Sequence, residues 1–196
     1  MNTILIEHEI KYEGHQLAPH WIYKNFNIQG DSIVSFIGPV DVKLDEMVDI
    51  EDVIANEPIK SDLMLNFIIE IFEIPLIQMV YIQRLFMSII KETLENRGIE
   101  IKRSGDDLFY EGKKLSVSIA TKSITSGLIH SALNIKSTGC PIEVSSLNDM
   151  NIYDIKDLAK EIMGKFASEI DDIKLATTKV RGVFWNKITL HTKRKN

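Results

Sequence analysis

Gly98 divides this sequence by period. Before it, from Leu76 to Asn96, apolar residues recur at helical spacing, with Val80, Phe86 and Ile90 set against Gln83, Arg84, Lys91 and Glu92. Beyond it the spacing becomes that of short strands: Ile99 and Ile101, then Leu108 to Tyr110, a Glu111-Gly112 turn, Leu115 to Ile119, and Ser126 to Ile135. A long helix with one apolar face needs a surface to lie on, and an antiparallel meander supplies one. The chain is therefore expected to be α+β, a mostly antiparallel sheet with helices packed on it.

The remaining segments are read in the same way. Thr3 to Ile10 alternates like a half-buried strand, Tyr12-Glu13-Gly14 reads as a turn, and Pro19 to Phe26 as a short helix ending near Gln29-Gly30. Ser32 to Ile37 is expected to be a buried strand closed by Gly38-Pro39. Met47 to Asn56 is expected to be helical, and Ser61-Asp62 reads as the N-cap of a second, apolar helix through Phe72. Pro141 to Leu147 is expected at a sheet edge, and two helical stretches follow, Ile152 to Phe166 and Ile170 to Val180. One domain over residues 1–182 is expected, with residues 183–196 as a last strand or a loose tail.

Composition narrows the function classes. With 44% hydrophobic residues in 196, a sizeable core is within reach, yet no uninterrupted apolar window is long enough to span a bilayer. The net charge of −5 argues against a duplex nucleic-acid footprint, and the basic Lys193-Arg194-Lys195 cluster reads as a solvated tail. Cys140 is the only cysteine, so neither a disulfide nor a thiolate metal centre is expected, which fits a cytoplasmic protein. The long helix from Leu76 to Ile90 suits either a buried central position or the interface of a homodimer.

Several side chains carry chemistry. Lys114 follows a hairpin turn with Asp106 and Asp107 close before it, so it reads either as a cation held for a phosphate, directly or through Mg²⁺, or as a solvated hairpin lysine. Arg103 suits bidentate binding of a carboxylate or phosphate. The Gln29-Gly30-Asp31-Ser32 turn offers backbone amides and a hydroxyl to an anion. His20, beside Trp21 and Tyr23, reads as a pocket residue or as a local hydrogen-bonding group at a helix start. His130, in a strand of small and apolar residues, reads as a cleft residue or a satisfied core histidine. The acidic run Asp41, Asp45, Glu46, Asp49, Glu51 and Asp52 offers oxygen ligands for Mg²⁺, but it matches no calcium loop and is simplest as a helix start.

The strand from Asp106-Asp107-Leu108, the Lys113-Lys114 turn, the small-residue strand Ser116 to Ile119 and the later Leu133-Asn134-Ile135 together resemble the lysine-bearing sheet of biotin and lipoate protein ligases. That resemblance implies a class II synthetase-like fold, acyl or adenylyl chemistry with ATP and Mg²⁺, and a small-molecule ligand. It implies that Lys114 is the cation at the acyl-adenylate, that Asp107 positions it, and that Asn134 lies at the ligand. The ligases' glycine-rich phosphate loop has no counterpart beyond Asn27 to Ser32. Over nearly its whole length the chain is similar to a prokaryotic family catalogued as domain of unknown function 366, which supports the fold more than an activity. An enzyme and a non-catalytic binding module both remain compatible with these residues.

Overall fold

The computed structural model describes residues 1–56 and 58–182. The chain forms β1 (Asn2–Leu5), α1 (Trp21–Phe26), β2 (Ser32–Val42), α2 (Ile50–Ala55), β3 (Ile59–Phe72), α3 (Leu76–Glu95), β4 (Lys102–Ser104), β5 (Asp107–Tyr110), β6 (Lys113–Lys114), β7 (Ser116–Lys122), β8 (Ser126–Asn134) and α4 (Ile155–Ala176). The main sheet has the order β1-β2-β3-β8-β7, antiparallel except for the β1–β2 pair. A small sheet, β4-β5-β6, stands beside it. The α+β architecture with a mostly antiparallel sheet is thus present.

The segment from Ser61 to Phe72 is a strand, not the helix its apolar run suggests. β3 lies at the centre of the sheet, between β2 and β8, and every residue from Met64 to Ile71 is buried. A strand buried on both faces needs apolar side chains at consecutive positions and loses the alternation by which strands are recognised. Leu65, Phe67, Ile69 and Ile71 meet one core, while Met64 and Ile68 meet the other. Three isoleucines among its last five residues also favour the extended backbone.

β2 likewise runs on to Val42, past the Gly38-Pro39 stop. The register shifts between Gly38 and Val40, which is the bulge that lets proline sit inside a strand. Gly38 is required there because a Cβ would stand 2.0 Å from the Ile10 carbonyl oxygen. The N-terminal segment crosses at that point: Ile6, Ile10 and Tyr12 donate their N–H groups to Ser35, Ile37 and Pro39. The expected strand to Ile10 therefore shortens to β1 followed by an irregular run along the edge of β2.

The two helical stretches expected after Asn151 are one helix, α4, because Ala167, Ile170 and the earlier Leu158, Ile162 and Phe166 continue a single buried stripe. The segment from Pro141 to Leu147 makes only an isolated bridge, between Val144 and Lys114. Residues 183–196, including the expected last strand, lie outside the described residues. No described helix is long and apolar enough to cross a membrane.

α3 and α4 cover one face of the main sheet. Phe86 sits at their junction, edge-on to Phe67 of β3 at 5.3 Å and to Phe166 of α4 at 4.9 Å. The apolar stripe of α3 is buried in this core through Met79, Phe86, Met87, Ile90 and Leu94, leaving Leu76, Ile77 and Tyr81 exposed at its start. On the opposite face, Tyr12, Ile22, Val34, Phe36, Met64, Ile68 and Ala132 form a second, smaller core. The part of that face nearest β7 and β8 is left open.

Candidate functional site

The open part of the second face is a cavity of about 590 Å³, a size suited to a small molecule. Its floor is laid by β3, β7 and β8, its walls by the β5–β6 hairpin and residues 140–144, and its roof by the segment from Glu46 to Asn56.

Tyr12 enters from the N-terminal run. Its backbone is fixed at both ends, its N–H donating to Pro39 and its carbonyl accepting from Asp41, each at 2.9 Å. The phenol ring stacks on His130, with centroids 3.6 Å apart and planes 13° apart. His130 Nε2 is 3.1 Å from Asn66 Oδ1. The Asn66 amide is oriented by its own donors, which reach the Met64 carbonyl at 3.2 Å and the Gly38 carbonyl at 3.4 Å. Because Oδ1 must then face the histidine, His130 Nε2 carries the proton and Nδ1 is an acceptor. Burial pushes the His130 pKa down to about 3, so the ring stays neutral at physiological pH. Burial, and then the Glu46 carboxylate, push the Tyr12 phenol up.

Lys114 and Asp107 face each other across the small hairpin, with Nζ 3.0 Å from Oδ1 and both side chains about one-third exposed. The lysine backbone is held by pairing with Phe109 and by Ser145, whose N–H donates to the Lys114 carbonyl at 2.9 Å. Asp106 points the other way. Its two oxygens accept from Arg84 and from Gln83, each at 2.8 Å, and burial raises its pKa despite Arg84. Gln83 also donates to Ser118, which in turn bonds Ser131, so α3 is tied to the cavity wall by a chain of side chains. Asn134 donates to the Ser145 carbonyl at 3.1 Å and accepts from Ser61 at 3.4 Å.

Of the residues singled out in the sequence, Lys114, Asp107, Asp106, His130 and Asn134 all line this cavity. The others do not. Arg103 bonds the Gly105 carbonyl in its own hairpin. The His20 N–H donates to the buried carboxylate of Glu70 at 2.8 Å, with its ring stacked on Phe72. The Gln29 to Ser32 turn is occupied by structural bonds: Asn2 holds the Gln29 carbonyl, the Ser32 hydroxyl bonds the Gly30 carbonyl, and Asp31 accepts from Phe72 N–H and Lys174. Sequence reasoning missed Tyr12 and Asn66, and read the roof carboxylates as a helix start. A lone asparagine inside the apolar run of β3 was the available signal, since a buried amide must be bonded to something.

The fold matches solved structures. A protein of unknown function from Pyrococcus horikoshii aligns at a TM-score of 0.90 and 38% identity, covering 93% of this chain and 98% of that one. A biotin protein ligase from Aquifex aeolicus in complex with biotin aligns at 0.61 and 13% identity over 89% of this chain and 72% of that one. A putative lipoate protein ligase from T. acidophilum with bound lipoic acid aligns at 0.60 and 14% identity over 86% of each. The likeness to the two ligases is one of fold: this is a biotin/lipoate ligase-like, class II synthetase-like architecture.

The cavity does not fit the triphosphate of ATP. Among the described residues, the carboxylates of Glu46, Asp49, Glu51, Asp52, Asp106 and Asp107 share its lining with Lys60 and Lys114. That balance works against a polyphosphate whose charge is not neutralised by cations. By sequence, an uncharacterised protein of Methanocaldococcus jannaschii is 39% identical over 180 residues, covering 89% of this chain and 81% of that protein. The family model described as "Domain of unknown function (DUF366)" matches residues 1–181, and the chain belongs to that family.

Proposed function

We propose that this protein binds a small carboxylate-bearing molecule in the cavity over β3, β7 and β8, with Lys114 as the electrostatic clamp and Asp107 positioning it. The observation that carries this reading is convergence: Asp107 of β5, Lys114 of β6, and His130 and Asn134 of β8 line one concave space. Lys114 suits the task because it is one-third exposed, anchored through its backbone, and paired with a carboxylate that can release it to a ligand. The neutral stack of Tyr12 and His130 gives the ligand body a flat, largely apolar floor.

A binding role accounts for the site better than adenylate-forming catalysis. The turn from Gln29 to Ser32 is engaged in structural bonds and the lining is acidic, both of which work against a nucleotide. Acyl transfer at Lys114 is the enzymatic form of the same reading, and it needs an already activated acyl donor. The lone, partly exposed Cys140 is consistent with a cytoplasmic setting.

A thermal-shift titration with biotin, lipoate, octanoate and ATP plus Mg²⁺ tests the proposal. A ligand at 100 times its Kd adds about 2.7 kcal/mol to native-state stability. The expected result is a rise in Tm with a carboxylate in the wild type that disappears in Lys114→Ala. A rise with ATP alone, unaffected by Lys114→Ala, overturns it.

A further inference from the structure

Two side chains of the cavity, Tyr12 and His130, keep hydrogen-bonding capacity for a ligand. The Tyr12 side chain is 3% exposed and its hydroxyl has no hydrogen-bond partner among the described residues. His130 is 5% exposed, and with Nε2–H committed to Asn66, its Nδ1 lone pair is likewise unpartnered. Both residues line the cavity, so a ligand there is able to supply the bond that the Tyr12 hydroxyl and His130 Nδ1 do not make within the protein. The two differ toward an anion, since a phenol hydroxyl is able to accept or donate and an unprotonated imidazole nitrogen only accepts. His130 Nδ1 has no proton to give, and the Tyr12 phenol lies under the charge of Glu46.

The roof adds charge of the matching sign. Glu46, Asp49 and Glu51 line the cavity, and none of the three has an ion-pair partner among the described residues, whereas the lysine on the opposite wall, Lys114, is paired with Asp107. Gly14 brings this roof down. It adopts φ +98°, and a Cβ there would stand 2.8 Å from Glu46 Cβ, so only glycine admits the close approach of the 44–46 turn to the N-terminal run. The roof is therefore rich in carboxylates, while at the β5–β6 end Lys114 stands with Asp106 and Asp107.

We propose that the ligand is an amino acid in the general chemical sense, with a protonated amine held by the Tyr12 hydroxyl, His130 Nδ1 and the Glu46 and Asp49 carboxylates, and its carboxylate directed to Lys114. The carboxylate half rests on the binding reading above; the amine half rests on the floor and roof alone. A charge-assisted hydrogen bond contributes about 1.5–3 kcal/mol, which corresponds to tenfold or more in affinity.

The test compares three probes of one chain length, 6-aminohexanoate, hexanoate and hexylamine, by isothermal titration of the full chain. It uses the wild type, Tyr12→Phe, and a Glu46→Gln/Asp49→Asn double variant. Asparagine preserves the N-cap that Asp49 gives to α2, so the double variant keeps its roof. The expected result is about tenfold tighter binding of 6-aminohexanoate than of hexanoate by the wild type, a preference that falls to parity in the double variant and weakens in Tyr12→Phe. Equal binding of 6-aminohexanoate and hexanoate by the wild type overturns the amine and leaves the Lys114 reading standing. Binding of hexylamine with a preference for it over hexanoate supports the amine while removing the carboxylate half. No binding of any of the three overturns both.

Discussion

Tyr12 and His130 stack face to face at 3.6 Å, and the stack joins the first irregular segment of the chain to the fourth strand of the main sheet order. Because His130 is buried and neutral, the pair also makes stability depend on acid. In the unfolded chain His130 takes a proton near its ordinary value of 6.5, and in the native protein only near 3. Between those values the unfolded state binds more protons, so stability is fully present above pH 6.5 and is lost as pH falls toward 3. The loss attributable to this group is on the order of 5 kcal/mol across the window. Urea titrations from pH 7 to 4 check it: His130→Gln is expected to flatten the pH slope relative to wild type, and an unchanged slope contradicts the assignment.

Glu70 is a second buried polar anchor, 2% exposed, with Oε1 accepting from the His20 N–H at 2.8 Å and the Ser126 hydroxyl at 2.7 Å. It holds His20 in the left-handed conformation that starts α1. Removing the acceptor leaves two donors stranded, so Glu70→Ala is expected to lower unfolding free energy by about 2–3 kcal/mol, and Glu70→Gln by less because an amide oxygen still accepts. Chemical denaturation of both variants checks the order.

Phe86 is the keystone of the helix-covered core, fully buried between Phe67 and Phe166. Phe86→Ala is expected to cost about 3–5 kcal/mol through lost burial and an unfilled cavity. Phe86→Leu retains much of the volume and is expected to cost less. A smaller loss for alanine than for leucine, read from the denaturation midpoints, contradicts this packing.

Lys114→Ala separates stability from binding. Its ion pair with Asp107 is one-third exposed on each side, so removing it is expected to change stability by less than about 1 kcal/mol. Carboxylate binding is expected to fall at the same time by tenfold or more, since the clamp is the one cation fixed on that wall. Parallel thermal melts and titrations check both halves.

Much of the architecture was legible before any coordinates. The period change at Gly98, the α3 stripe and the hairpin around Lys114 all follow from local spacing, and each stands where the spacing puts it. β3 was misread because its burial on two faces is a property of the finished sheet, and no window of sequence records it. At the candidate site, Lys114, Asp106 and Asp107 were visible because one hairpin carries them, whereas Tyr12 was not. Tyr12 reaches His130 only because the N-terminal run lies along β2 and crosses at Gly38, a contact between residues more than a hundred positions apart. The loop from Gln29 to Ser32 attracted attention for its composition, but its Gln29 carbonyl accepts from Asn2 and its Asp31 carboxylate from the Phe72 N–H and Lys174.

The most direct test of the central claim is a crystal structure of the protein grown with the carboxylate that gives the largest thermal shift. The account predicts that the ligand lies on the Tyr12–His130 stack with a carboxylate oxygen within hydrogen-bonding distance of Lys114 Nζ. Density for the ligand at the Gln29–Ser32 turn, or on the exposed start of α3, with the cavity over β7 and β8 holding only solvent, contradicts it.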